Sequence, residues 1–355
     1  MGMPSIGIFF TELAATTIRR GDRGIIAMIL KESSLGLLKN PIVCASAEDV
    51  PSSLKEENQE QINLALMGYV NTPKKIIAYV IQDSAENYND ALDYLKTVKF
   101  DYLVVPTVET DEQTAAIVSY VKSQRAEDKL IKAVLPNVAG DNEGIINYAT
   151  EEVMVGDKKY TTEQYCARIA GIIAGTPLSI SCTYAPLSEL TDCRRHTKEE
   201  MDASEEAGKF IVWWDSEKVK TGRGVNSLTT MTEKKNKQFR KIKVVDIMDL
   251  IANDLRMAIE DQYIGKMPNT YDNKCLLVSG IGNYFERLNR ENIIGSYEIG
   301  IDVSANRSYL KENGKDVDSM SDTDIKTANT GSYVFLTCKL SILDAIEDVV
   351  LPITI

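Results

Sequence analysis

Residues 331–355 read GSYVFLTCKLSILDAIEDVVLPITI, and this stretch decides how we interpret the rest of the chain. Within it, residues 332–340 alternate between two sets of side chains with the period of two that a β-strand requires. Residues 348–355 form a second apolar, strand-like segment, in which Pro352 suits an edge strand because proline lacks a backbone donor. Chain ends are usually polar and frayed. We therefore expect 348–355 to pair with a sheet edge, either in its own molecule or in a neighbouring one.

The other end of the chain has the same character. Residues 4–13, PSIGIFFTEL, are extended and apolar, with Ile6, Ile8 and Phe10 on one face. The polar stretch 14–23 follows and predicts a flexible connection. Both ends are thus predicted to be strands that are poorly connected to the segments beside them.

Composition limits the class of protein and its partners. The 355 residues predict about two domains, and the hydrophobic fraction of 44% is that of an ordinary globular protein. The net charge of −12 argues against nucleic acid as the main partner and against an anionic membrane surface, but leaves a basic protein partner open. No run approaches the roughly 18 apolar residues of a membrane span. The first residues lack the basic region of a secretory signal, and the six scattered cysteines are expected to be free, reduced thiols.

The fold class is predicted as α/β plus α+β. Strand and helix patterns alternate between residues 74 and 136, which indicates a mostly parallel sheet, and we assign 74–230 to an α/β domain with 24–73 packing on its core. Asp111 is the expected N-cap of a helix over 111–128. Capping boxes are expected where Thr161 precedes Gln164 and where Thr197 precedes Glu200.

A smaller α+β domain is predicted over residues 236–340. It begins with a long amphipathic helix at about 243–264. A strand over 274–279, a helix over 284–290 and a strand over 297–303 follow. Residues 1–23 and 341–355 remain as N- and C-terminal arms.

Enzyme chemistry has little support in the residues. His196 is the one histidine, and its charged surroundings favour a solvated loop residue over a catalytic base. Nucleophile-elbow and zinc-binding motifs are absent, so we predict no catalytic residue and no metal site. Gly280 and Gly282 give a partial dinucleotide fingerprint, with Phe285 in place of its third glycine. A tight turn before a helix is the alternative interpretation, and no cofactor is predicted.

Three long stretches in the second half of the chain resemble a known family. They are TGRGVNSLTTMTEKKNKQFRKIKVVDIMDLIANDLR, YIGKMPNTYDNK and DVDSMSDTDIKTANTGSYVFLTCKLSILDAIEDV. They resemble the sheath protein of contractile phage tails, in the compact form found in Gram-positive myophage-like prophages and R-type phage-tail-like bacteriocins. The resemblance covers residues 215–355 and extends more loosely over the N-terminal third.

The resemblance implies a structural polymer. Such proteins stack as six-fold rings around a tail tube and contract from a metastable extended state, which drives the tube through a target cell envelope. Their middle domain is subtilisin-like in fold without the protease residues. The implied partners are further copies of the chain, the tail tube protein, and baseplate and tail-terminator proteins, with no direct nucleic acid or membrane contact. The chain is expected to be made in the bacterial cytoplasm without a signal peptide and to act in a released particle.

The family also implies roles for particular residues. Its terminal arms add strands to the sheets of neighbouring subunits, and a segment of its C-terminal domain contacts the tube. The residues that match the arms are Ile6, Ile8, Phe10, Val349, Val350, Leu351, Ile353 and Ile355. The matching receiving strand contains Val334, Phe335 and Leu336, and the predicted tube contact contains Asp344, Glu347 and Asp348. From the residues alone, this acidic group is either a solvated turn or a contact site.

Two other functions stay open at this point. One is a degenerate hydrolase-like or nucleotide-binding enzyme built on the α/β domain. The other is a soluble adhesin or tube-like interaction module, which would be stable as a monomer and would not need its arms.

Overall fold

The chain folds into two units in the computed structural model, which describes residues 18–33, 35–36 and 38–354. The first, which we call the α/β unit, comprises residues 22–250 and the described residues from 344 onward. The second unit comprises residues 18–21 and 251–343. The predicted domain limits differ from this division, because the chain changes units inside a helix and again after residue 343.

Short strands and helices alternate along the α/β unit. Its strands are β1 (Ile25–Glu32), β2 (Ile42–Cys44), β3 (Lys75–Gln82), β4 (Tyr102–Val104), β5 (Lys132–Pro136), β6 (Ile145–Tyr148), β7 (Val153–Val155), β8 (Lys158–Tyr160), β9 (Lys209–Phe210), β10 (Val212–Trp214) and β11 (Val219–Thr221). Its helices are α1 (Glu56–Leu66), α2 (Asn89–Leu95), α3 (Thr114–Ala126), α4 (Thr162–Ala174) and α5 (Lys198–Glu206). The next helix, α6 (Ile242–Gln262), contains the point at which the chain enters the second unit.

A mostly parallel sheet with the order β2-β3-β1-β4-β5-β6-β9 forms the centre of the α/β unit. β1 pairs in parallel with β3 on one side and with β4 on the other. Its side chains alternate between two cores, Ile26 and Met28 in one and Ile25 and Ala27 in the other. Helices α1 and α4 cover the first core, and α2 and α3 cover the second. The predicted α/β class and its mostly parallel sheet are confirmed.

The segment 24–73 contributes two strands to this sheet, β1 and β2, and its helix α1 packs on the first core. β1 occupies a central position because it is apolar on both faces, and only a strand covered on both sides can bury such a run. The antiparallel β2 adds an edge next to β3.

The predicted helix caps are correct in two cases of three. Thr161 and Thr197 each form the predicted capping box, at the starts of α4 and α5. The prediction for Asp111 is wrong, because α3 begins only at Thr114. The Asp111 carboxylate instead accepts hydrogen bonds from Thr107 Oγ1 at 2.7 Å, from Lys31 Nζ at 2.8 Å and from the Tyr88 hydroxyl.

The first turns of α6 carry two buried carboxylates that join a charged network of the α/β unit. Asp246 accepts hydrogen bonds from Tyr102 Oη at 2.5 and 2.6 Å and from the Arg23 guanidinium, and Lys132 Nζ lies 3.2 Å from it. Asp249 pairs with Lys132 Nζ at 2.8 Å and also binds a second guanidinium, that of Arg125. A charge buried this deeply is tolerated only when it is paired and hydrogen-bonded. The network therefore ties this end of α6 to the sheet.

The second unit is a smaller α+β assembly. Beside its part of α6, it contains α7 (Tyr271–Arg290), β12 (Ile294–Ile301), α8 (Val303–Glu312), α9 (Asp322–Thr327) and β13 (Leu336–Ile342). β12 and β13 pair antiparallel, from Ile301 opposite Leu336 to Ile294 opposite Ile342. Helix α7 packs on this pair, with the ring centroids of Phe285 and Tyr297 5.5 Å apart.

The strand predicted over 274–279 is wrong, since these residues lie inside α7. The short apolar run CLLV fits a strand and a buried helix equally well, and periodicity over so few residues cannot separate them. Thr270 caps the helix, which then continues without a break through Gly280 and Gly282. Neither the glycine-rich turn nor the dinucleotide loop considered for these glycines is formed.

Candidate assembly surface

The two-stranded sheet of the second unit has open edges. Among the residues that the structure describes, β12 and β13 pair with each other and with no third strand. Each strand thus keeps an outer row of backbone N–H and C=O groups without a strand partner. Such an edge is a template for adding a further strand. Most of the β13 side chains are exposed, including Thr337, Cys338 and Lys339.

The predicted receiving strand begins later than expected. Leu336 is its first residue, whereas Val334 and Phe335 lie before it. The preceding residues form a turn, because Asn269 Nδ2 donates to Gly331 O at 2.7 Å and to Tyr333 O at 2.9 Å. Phe335 packs in an aromatic cluster, and its carbonyl oxygen accepts from a backbone N–H 3.0 Å away. The predicted segment therefore combines a rigid turn with the start of an exposed strand.

The C-terminal arm predicted over 341–355 begins later than expected, because residues 341 and 342 belong to β13, and it is exposed over residues 349–354. Residues 344–354 have no regular secondary structure, so the strand expected over 348–355 does not form within one described chain. Five apolar side chains in this stretch, those of Ile346, Val349, Val350, Leu351 and Ile353, are between 75% and 92% exposed. The remaining arm residues named above, Ile6, Ile8, Phe10 and Ile355, lie outside the described residues.

The acidic residues before the arm are paired within the α/β unit. The Glu347 side chain is only 6% exposed and accepts from Thr183 Oγ1 at 2.6 Å and from Lys241 Nζ at 3.1 Å. Asp344 also pairs with Lys241, and Asp348 forms a two-pronged pair with Arg223 at 2.7 and 3.0 Å. The Arg223 guanidinium lowers the pKa of Asp348 below its ordinary value. The solvated-turn interpretation is wrong for Glu347, because its carboxylate is buried.

Sequence analysis did not identify the residues that hold this acidic segment. Thr183 and Arg223 had no predicted role, and Lys241 was only one of several basic residues in a polar stretch. More than a hundred residues separate Lys241 and Thr183 from Glu347. No local period or motif links positions so far apart in one chain.

The described residues contain no cluster of three or more histidine, cysteine or acidic side chains that could hold a metal ion. The solvated-loop prediction for His196 is wrong, since its side chain is 7% exposed and 3.9 Å from Glu200. Burial and the nearby Arg194 lower the pKa of this imidazole. A search of the same residues finds no helix long and apolar enough to cross a membrane.

Two family models match most of the chain. The phage tail sheath protein central domain matches residues 82–220, and the phage tail sheath C-terminal domain matches residues 234–355. A tail sheath protein of Clostridium phage phiCD119 is 38% identical over 355 residues, which covers 98% of each chain.

Solved structures with a similar fold include two sheath proteins. The sheath tail protein from Desulfitobacterium hafniense has a TM-score of 0.72 at 20% identity, over 96% of this chain and 100% of that one. The helical sheath protein of the anti-feeding prophage in its contracted state has a TM-score of 0.71 at 14% identity, over 100% of this chain and 99% of that one. At these identities the likeness shows the fold alone.

Proposed function

This chain belongs to the phage tail sheath protein family, and from that premise we propose that it is the subunit of a contractile sheath. Copies polymerise as stacked six-fold rings around a tail tube. The sheath contracts from a metastable extended state and drives the tube through a target cell envelope. Like its relatives, the chain is a structural protein and not an enzyme.

The proposal rests on two exposed features of one chain that could satisfy each other between copies. One chain exposes an apolar arm, residues 349–354, and also a sheet whose edges pair with no third strand among the described residues. A segment with four large apolar side chains in water is unfavourable by about 25 cal/mol for each Å² that could be buried. If the sheet edge of one copy accepts the arm of another, the apolar side chains are buried and the backbone groups of the edge are paired. Each main-chain hydrogen bond formed would add about 1 kcal/mol net.

Strand exchange at this edge would link neighbouring subunits. Residues 349–355 of one copy, and the N-terminal arm with Ile6, Ile8 and Phe10 of another, would pair with the β12–β13 sheet of a third. The receiving surface would include the start of β13 at Leu336, with Val334 and Phe335 in the turn before it. Contraction would then move whole units as rigid bodies while the exchanged strands stay paired. The extended sheath would be long-lived because a kinetic barrier protects it.

The remaining partners follow from the same proposal. Asp344 and Asp348 keep 38% and 73% of their side chains exposed, so they remain available for a basic surface of the tail tube. Glu347 is bound within its own chain, which makes it the weakest member of the predicted tube contact. Baseplate and tail-terminator proteins would contact the ends of the polymer. The sheath would act in a released phage tail or tail-like particle.

Assembly of the purified chain tests this function. We expect the full-length protein to form rings or tubes in negative-stain micrographs. Val350→Asp places a charge on the arm and should prevent this, while Val43→Asp places one on an exposed apolar side chain of β2 and should not. A variant without residues 349–355 should stay unassembled and keep the far-ultraviolet circular dichroism of the parent. Ordered sheath from the truncated chain would refute arm exchange.

A further inference from the structure

We propose that Glu347 is a positioning residue that anchors the root of the C-terminal arm to the α/β unit. The proposal rests on the proposed strand exchange, and it identifies the contact that fixes the direction in which the donated strand leaves its own molecule. The anchored root comprises residues 344–348, and the arm itself begins at Val349, two residues after the anchor.

Glu347 is set apart from its acidic neighbours by burial and by the number of its partners. Its carboxylate meets two hydroxyl groups, Thr183 Oγ1 at 2.6 Å and Ser181 Oγ at 3.4 Å. It also meets two cations, Lys241 Nζ at 3.1 Å and Arg223 Nη1 at 3.7 Å. A surface ion pair has none of this cover and contributes little. A buried carboxylate with several donors holds its segment in one geometry, because moving it would leave charge uncompensated on both sides.

The groups that hold Glu347 are themselves fixed. Thr183 Oγ1 lies 2.8 Å from Ser181 Oγ and accepts the N–H of Gly224 at 3.0 Å. Gly224 in turn accepts the N–H of Ile242, the first residue of α6, at 3.0 Å, so Lys241 enters the site from the start of that helix. These contacts join a loop of the α/β unit to the N-terminus of α6, and none of them involves residues 344–348. Since the groups that bind Glu347 are held by these other contacts, docking of Glu347 orders only the arm root.

An anchor at Glu347 shortens the mobile segment that a chain presents to a neighbouring copy. With the root held, only residues 349 onward are free to search for an edge, and they leave the molecule in one direction. With the root released, the arm would be carried by five more mobile residues, 344–348. A longer flexible connection lowers the effective concentration of the arm at its target. Assembly must then also order residues 344–348, and the conformational entropy lost in doing so weakens it. The apolar side chains of the arm play no part in the anchor, so anchoring and strand pairing can be measured separately.

Backbone NMR order parameters in the unassembled full-length chain test the anchor directly. Glu347→Gln removes the buried charge and nearly keeps the shape of the side chain. We expect the order parameters of residues 344–348 to fall from about 0.85, the value of a rigid backbone, to below about 0.6 in this variant, because the released segment becomes flexible. Asp348→Asn is the matched control, since it removes the same charge from the same segment at an exposed position, and should leave the order parameters near the parent values. Unchanged order parameters in Glu347→Gln would overturn the anchor.

Assembly then tests the positioning role. The protein concentration needed for half-maximal assembly should rise about tenfold to a hundredfold in Glu347→Gln and stay near the parent value in Asp348→Asn. Thr183→Val should act in the same direction, and the double variant Thr183→Val with Glu347→Gln should be no worse than Glu347→Gln alone. Assembly of Glu347→Gln at the parent concentration, while the chain lacking 349–355 fails to assemble, would refute positioning and leave strand exchange intact. If the truncated chain assembled, strand exchange would be refuted, and the order parameters of residues 344–348 would still decide whether the anchor exists.

Discussion

Replacing Asp246 by asparagine should destabilise the α/β unit strongly. The carboxylate is buried at the start of α6 and faces two cations, Arg23 and Lys132, together with the Tyr102 hydroxyl. Asparagine keeps the shape and an acceptor for Tyr102 but removes the charge. Arg23 and Lys132 then lose a counter-ion in a site where their side chains are only 15% and 4% exposed.

The size of the effect follows from the partners that remain. Removing one member of a buried ion pair costs about 3–5 kcal/mol. Lys132 keeps a second carboxylate, Asp249, at 2.8 Å, so its loss is partial. Arg23 retains the carbonyl oxygen of Thr176 at 2.8 Å but no second carboxylate contact of comparable length among the described residues. We therefore expect Asp246→Asn to lower the free energy of unfolding by about 3 kcal/mol, at the lower end of that range.

The same substitution should change the response to acid. Burial alone raises the pKa of Asp246, but Arg23, Lys132 and the Tyr102 hydrogen bond outweigh it, so the pKa in the folded state is lowered from its ordinary value of 3.8. A lowered pKa contributes stability that is present above the unfolded-state pKa and is lost as the pH falls through the folded value. The parent should therefore lose stability below about pH 4 more steeply than Asp246→Asn does.

Tryptophan fluorescence during urea unfolding measures the loss of stability in the α/β unit, where Asp246 lies. Both tryptophans, Trp213 and Trp214, lie in β10, so the signal reports on the α/β unit. Asp83→Asn is the control, because it removes a charge from an exposed pair with Lys55 at 3.2 Å and should cost less than about 1 kcal/mol. A loss below about 1 kcal/mol in Asp246→Asn, or an acid limb as steep as that of the parent, would show that the network does not stabilise the fold as we argue.

Two further predictions use residues of the helices and of β13. Gly171→Ala should lower the free energy of unfolding by about 3 kcal/mol, since its new Cβ would lie 2.2 Å from the backbone oxygen of Ala65. Gly282→Ala is also inside a helix, but its new Cβ would lie 3.8 Å from Ile299 Cγ2, so this variant should raise the free energy of unfolding by about 1 kcal/mol. Equal effects of the two alanines in urea unfolding followed by circular dichroism would contradict this reasoning. All six cysteines lie among the described residues, and Cys338 is the one whose thiol is exposed, so it should react first with a thiol reagent in the unassembled chain and on the order of tenfold more slowly in assembled sheath. Equal labelling rates in the two states would mean that no neighbour covers β13.

Much of the α/β unit could be predicted because its signals are local. Alternating strand and helix patterns identified β3 to β5 with the helices between them, and the residue pairs at Thr161 and Thr197 identified two helix starts. The position of β1 in the middle of the sheet could not be derived in this way. Strand order depends on which edges meet in space, and the hydrophobic pattern shows only that β1 is buried on both faces.

The candidate site was predictable only in part for the same reason. The exposed apolar arm follows from composition at residues 349–353, and its exposure in the folded chain agrees with a segment that lacks a partner of its own. The anchor at Glu347 depends on Thr183, Arg223 and Lys241, which sequence distance hides. Charged residues in a turn are usually solvated, so the ordinary expectation was the wrong guide at this position.

The discontinuity of the α/β unit has a consequence for synthesis. Residues 344–348 return to a unit whose preceding residues end at 250, so the ribosome makes the whole of 251–343 before the arm root can dock. Because the last residues of a nascent chain stay inside the ribosome until synthesis ends, β13 and the arm root both become available only when the chain is released. Under the proposed strand exchange, the C-terminal arm would therefore pair after translation and not on the ribosome.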